Sequence, residues 1–116
     1  MPKQKLDPLP AAAFQILLSL AEEDLHGYAI MREVADQTGG RVRLGPGTLY
    51  SSIRSLLEAG LIEELDSRED PSINGERRRY YRLSPTGRAL ASAEAARLAD
   101  LLRVARAKKI LGGGYV

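Results

Sequence analysis

Cysteine is missing from all 116 residues, which excludes disulfides, thiolate zinc centres and cysteine nucleophiles together. Tryptophan is missing too, and His26 is the single histidine, too few imidazoles for a histidine-built metal site. No long hydrophobic run occurs: Gln15, Ser19 and Glu22 break the most apolar stretch, well short of the ~20 residues a membrane span requires. Charge of one sign is scarce as well. Seventeen Lys+Arg against fifteen Asp+Glu leave a net charge of +2, so any nucleic-acid partner must be argued from where the arginines sit. Lys3 and Lys5 lead to Pro8 and Pro10 and not to the apolar segment of a signal peptide, so the cytoplasm is the expected compartment. With no nucleophile–base pair and no metal set visible, the expectation is a protein that is not an enzyme and carries no cofactor.

What the chain does have is periodicity. Over residues 9–23, Phe14, Leu17, Leu18 and Ala21 share one helical face while Ile16 and Leu20 lie on another. This predicts a helix apolar over a wide arc, serving its own core and a second surface. Tyr28, Ile30, Met31, Val34 and Ala35 supply the apolar positions of a second helix over 26–38, stopped by Gly39-Gly40. Val42-Arg43-Leu44 reads as a very short strand. A third helix opens at Gly45-Pro46-Gly47, buries Leu49, Ile53, Leu56 and Leu57, and stops at Ala59-Gly60. Residues 61–66 and 79–83 alternate as two strands around a long loop holding Pro71, Ser72, Asn74 and Gly75. Ser84-Pro85 starts a last helix, with serine as its cap, read as far as Leu111 and so about 40 Å long. No internal repeat is present.

The predicted fold class is therefore mainly α with a small β-hairpin: a winged helix-turn-helix plus a long C-terminal dimerisation helix. The third helix is the expected reader of double-stranded DNA. Thr48, Ser51, Ser52 and Ser55 are small and polar enough to approach base edges, and Arg54 can reach a guanine or a phosphate. A merely solvated helix would more often use Glu and Lys there. The hairpin supplies the expected backbone contacts through Arg68, Asn74, Arg77, Arg78, Arg79 and Arg82. Because strand residues alternate, Arg78, Tyr80 and Arg82 are expected on one face, with Arg77 and Arg79 on the other. The same alternation puts one of Tyr80 and Tyr81 in the core.

His26-Gly27-Tyr28, Pro46-Gly47-Thr48-Leu49-Tyr50, Gly60-Leu61-Ile62 and Arg79-Tyr80-Tyr81-Arg82-Leu83-Ser84 resemble the signature segments of PadR-type bacterial transcriptional regulators. The set spans roughly residues 9–90 in the expected order, and the single helix after the hairpin resembles the short branch of that family. The resemblance implies a homodimeric winged-helix repressor in which the last helix exchanges contacts with the partner's first helix. It also places Thr48 and Tyr50 at the DNA end of the reading helix. Some members release DNA on binding a small-molecule effector between the subunits. Three departures stand out: Gly45 where the family often has serine, Glu76 in the wing, and no tryptophan to stack a drug.

The expected organisation is a flexible arm over 1–8, a DNA-binding unit over 9–84, a dimerisation helix over 85–111 and a flexible tail over 112–116. The dimer surface is expected to draw on Ile16, Leu20, Leu90, Leu98, Leu101, Leu102, Val104 and Ala105. Two positions stay open between readings. Tyr50 either contacts DNA or packs on a helix turn, and His26 caps the second helix or acts as a titrating group. A winged-helix module that binds protein instead of DNA is the rival class.

Overall fold

A computed structural model describes residues 9–69 and 77–112, with the side chains of 66–69 and 77 outside the description. The elements run α1 (Ala11–Ser19), β1 (Leu25–His26), α2 (Gly27–Gln37), α3 (Pro46–Glu58), β2 (Ile62–Glu69), β3 (Arg77–Leu83) and α4 (Pro85–Ala107). The three strands form one antiparallel sheet in the order β1-β3-β2. Among the described residues no helix is long and apolar enough to cross a membrane, and no cluster of three or more His, Asp or Glu side chains is placed to hold a metal.

One core joins the helical layer to the sheet. Ala13, Ile16 and Leu17 of α1 and its C-cap Leu20 recur at helical spacing and are all buried, meeting Ile30 and Val34 of α2, Leu49, Ile53 and Leu56 of α3, and Ile62 and Tyr81 of the sheet. Each buried aliphatic side chain of this kind is worth about 1.5–3 kcal/mol. Ile16 and Leu20, expected on a dimer surface, are 0% and 3% exposed and belong to the chain's own core. The wide apolar arc was real, but its outward member is Leu18, 44% exposed.

Two strand expectations change. Residues 42–44 form no strand; they are loop, and the chain there buries Leu44. The third strand is Leu25–His26, which pairs with Tyr81 and Tyr80 along the other edge of β3. The hairpin strands are longer than their alternation suggested, and a register irregularity between Leu65 and Arg68 separates the regular base from the arginine-bearing end.

Helix ends follow their capping chemistry. Gly60, at φ 75°, lets α3 close with Leu61 N–H on the Leu56 carbonyl (2.9 Å) and Gly60 N–H on the Leu57 carbonyl (3.0 Å). The Ser84 hydroxyl accepts from Gly87 N–H at 2.9 Å and donates to the Gly60 carbonyl at 2.7 Å, so one side chain caps α4 and ties it to the end of α3. α4 stops at Ala107, four residues short of the expected Leu111, because Lys109 takes the left-handed conformation at φ 65°. Ile110 N–H then closes on the Ala105 carbonyl at 2.8 Å. A non-glycine residue in that conformation costs roughly 1–2 kcal/mol, which is why the sequence pointed instead to the glycines further on.

Candidate nucleic-acid interface

Burying Leu49, Ile53 and Leu56 turns the other side of α3 to solvent. Thr48, Tyr50, Ser51, Arg54 and Ser55 are exposed, and Ser52 is half-buried at the margin. Ser51 Oγ donates to the Thr48 carbonyl at 3.3 Å. A shallow groove lined by Pro10, Ala12, Ala13, Ser51, Ser52 and Ser55 separates α3 from the start of α1. Apart from Tyr50 and Arg54 the face is small and polar, and it is free of Lys and Glu until Glu58 at its far end.

The strand arginines do not form one uniform cationic surface. Arg82 lies opposite Glu63 and pairs with it at 3.1 Å, and Arg79 reaches Glu64 at 3.5 Å. These exposed pairs are each worth at most about 1 kcal/mol and leave both guanidinium groups accessible. Arg78 is held differently. Its Nη1 donates to His26 Nδ1 at 3.2 Å, and its guanidinium lies 5.7 Å from the Tyr28 ring centroid, with Arg32 at 5.8 Å from the same ring. The Tyr80 ring meets His26 edge-on at 5.4 Å, so Arg78 and Tyr80 reach His26 from one face of β3, as strand alternation requires. Asn74 lies outside the described residues, as do the side chains of Arg68 and Arg77.

His26 is the N-cap of α2, its Nδ1 accepting from Ala29 N–H at 3.1 Å. That is the capping role, with Arg78 as a second donor that sequence spacing gave no hint of. Tyr28 was read as an apolar helix position, yet it is 53% exposed and faces the arginines. Its only early signal was membership of the His26-Gly27-Tyr28 segment. Tyr50 packs through its hydroxyl against Gly27 at the start of α2, where an added Cβ would strike it, while the residue stays 48% exposed.

These residues converge. His26, Gly27, Tyr28, Tyr50, Arg78, Arg79 and Tyr81 line an open recess of about 250 Å³ between α2, α3 and β3. Burial pushes the Tyr81 hydroxyl above the usual phenol range, with Glu64 and Tyr50 adding and Arg79 opposing, so it stays protonated at neutral pH.

Far from this recess, α4 divides in two. Its first half is docked on the domain through Gly87, Leu90, Ala91 and Glu94. Leu90, expected at a partner interface, packs here against its own core. Arg97 donates to Glu94 at 2.9 and 2.6 Å, holding that carboxyl below its ordinary pKa against the opposing effect of burial. The pair's stabilisation is thus complete at neutral pH and is lost only as pH falls through the lowered value. Beyond it, Leu101, Leu102 and Val104 are 51%, 53% and 47% exposed, while Leu98 and Ala105 are half-buried.

The family profile described as "Transcriptional regulator PadR-like family" matches residues 16–93. The "Transcriptional regulator Rv3488" of Mycobacterium tuberculosis is 31% identical over 103 residues, covering 89% of this chain and 85% of that protein. An uncharacterised 37.1 kDa protein of transposon Tn4556 from Streptomyces fradiae is 36% identical over 90 residues, which cover 78% of this chain and only 24% of that protein's length. Among solved structures, Bacillus subtilis PadR in complex with operator DNA superposes with a TM-score of 0.62 at 18% identity, over 72% of this chain and 46% of that one. At that identity the likeness is one of fold.

Proposed function

The chain belongs to the PadR-like family of transcriptional regulators, which are not enzymes, and on that premise we propose that it is a homodimeric, DNA-binding repressor acting in the cytoplasm. Residues 9–84 form the DNA-binding unit and α4 the dimerisation element. α3 enters the major groove of a palindromic operator with Thr48, Ser51, Ser52, Arg54 and Ser55 against base edges. Arg78, Arg79 and Arg82, joined by Arg68, Asn74 and Arg77, follow the phosphate backbone. Leu98, Leu101, Leu102, Val104 and Ala105 meet the partner subunit. The proposal includes release by a small-molecule effector bound between the subunits. One observation carries the reading: the exposed Thr48, Ser51, Ser55 and Arg54 of α3 share a face whose Tyr50 lines one recess with Arg78 and Arg79 of β3. Likeness in fold to a regulator solved on its operator supports it.

Two half-sites convert the second binding event into a local one, so they are expected about 34–36 Å apart or at a multiple of that spacing. On duplexes selected by the chain from random sequence, displacing one half-site by about five base pairs turns it to the opposite face and should abolish tight binding.

Single substitutions separate the two kinds of contact. Arg78→Ala is expected to weaken all duplexes alike and to lower the slope of log affinity against log salt by about 1. Ser51→Ala and Thr48→Ala are expected to leave that slope in place and to change base preference, by about 1–3 kcal/mol per base pair. Anisotropy titrations over a salt series measure both. A protein-binding module would show neither effect.

A further inference from the structure

The exposed face of α3 has two flanks, and the wing stands on one of them. Tyr50 and Ser52 leave the helix about 160° apart. Tyr50 lines the recess shared with Arg78 and Arg79 of β3, whereas Ser51, Ser52 and Ser55 line the groove shared with Pro10, Ala12 and Ala13. The chain enters the domain at this second groove. Leu9 is 7% exposed and packs in the core, and Pro10 follows in extended backbone, at φ −59° and ψ 151°, as the N-cap of α1. Residues 1–8 are thus tethered beside the exposed serines, on the flank away from the strand arginines. Their composition suits an anionic surface: Lys3 and Lys5 stand against one acid, Asp7. The groove itself offers these lysines nothing to fold back on. No charged side chain lines it, the first turn of α1 carries no acid, and the N-terminal end of a helix repels cations. Eight residues reach at most about 29 Å, more than twice the ~12 Å width of a major groove.

We propose that residues 1–8 are a third DNA-contacting element, an arm that follows the duplex on the side of α3 away from the wing and places Lys3 and Lys5 on backbone phosphates outside the half-site. The inference rests on the DNA-binding reading and adds a contact that neither α3 nor the hairpin supplies. Flanking DNA then counts toward affinity without being read base by base.

The test compares the full chain with a variant lacking residues 2–7 and with the double substitution Lys3→Ala with Lys5→Ala, all on a duplex that wild type has selected from random sequence. Anisotropy over a salt series, hydroxyl-radical footprints and thermal melts are recorded on the same preparations. Both variants should melt with wild type, because Leu9 and Pro10 stay in place. Both should lower the slope of log affinity against log salt by about 2 for each chain bound, one for each lysine. Both should also lose protection of the sugars just outside each half-site. Lys3→Arg with Lys5→Arg should keep the slope and the footprint of wild type. An unchanged slope and footprint in the two charge-removing variants, with wild type still bound, would overturn the arm and leave operator binding intact. A lower melting temperature for the deletion, with its salt slope unchanged, would overturn it too, by seating the segment in the chain's own groove. If wild type selects no duplex at all, the DNA reading fails and the arm falls with it.

Discussion

Gly87→Ala is expected to lower the melting temperature by about 10 °C, the largest stability loss expected from adding a methyl group at a described glycine. Gly87 is buried in the first turn of α4, and a Cβ there would run into the backbone carbonyl of Leu61 and crowd the Leu83 side chain. That carbonyl cannot give way cheaply, because it accepts the Ser84 N–H at 3.1 Å. Ser84 is itself fixed by its bonds to Gly60 and Gly87. Relief therefore requires α4 to lift off the α3–β2 corner. Overpacking of this kind costs about 1–3 kcal/mol, more where backbone must move, and each kcal/mol lowers the melting temperature by roughly 4 °C in a domain of this size. Gly47→Ala is the control: an added Cβ there meets nothing within 4 Å, and alanine is the better helix former. Thermal melts of the two variants should move in opposite directions. Equal melts for Gly87→Ala and wild type would mean that α4 is not seated on Leu61.

The double substitution Leu101→Glu with Leu102→Glu is expected to produce a folded monomer and to reduce operator affinity by about a hundredfold or more. Both side chains are half-exposed in the single chain, so charging them creates no buried carboxylate and leaves the core untouched. On the proposed dimer, what is lost is the cover that a second copy gives this face, and with it the linkage between half-sites, worth about 10²–10⁴ in avidity. Ala96→Glu, exposed on the opposite side of α4, should remain dimeric. Molar mass in solution and duplex affinity measured on the same samples decide the matter. A dimer that survives the double substitution would place the interface elsewhere, with Leu18 the next exposed apolar side chain to examine.

Most of the helical frame was legible because its signals are local. Gly39-Gly40, Ala59-Gly60 and Ser84-Pro85 mark helix ends through backbone conformation and capping, and each stands where it was expected. The stripe of Leu49, Ile53 and Leu56 on α3 was equally plain, and with it the polar face opposite. What escaped depends on partners distant in sequence. Leu25–His26 is too short to show a period and is a strand only because β3 offers it an edge. On α1, periodicity showed two apolar faces but not that a single compact core would take Ile16 and Leu20 while leaving Leu18 outside. The end of α4 was hidden because Lys109, not a glycine, takes the left-handed turn. At the candidate interface, the arginines and serines were visible from their positions in the sequence. The pairing of Arg78 with His26 across 52 positions was not, nor was the exposure of Tyr28 beside them.

Stoichiometry and salt dependence, measured together on one selected duplex, bear most directly on the central claim. Two chains per duplex, with affinity falling by orders of magnitude between 50 and 200 mM salt, is the predicted result for a dimer neutralising several phosphates on each half-site. A chain that sediments as a monomer and ignores every duplex at the lower salt would contradict it.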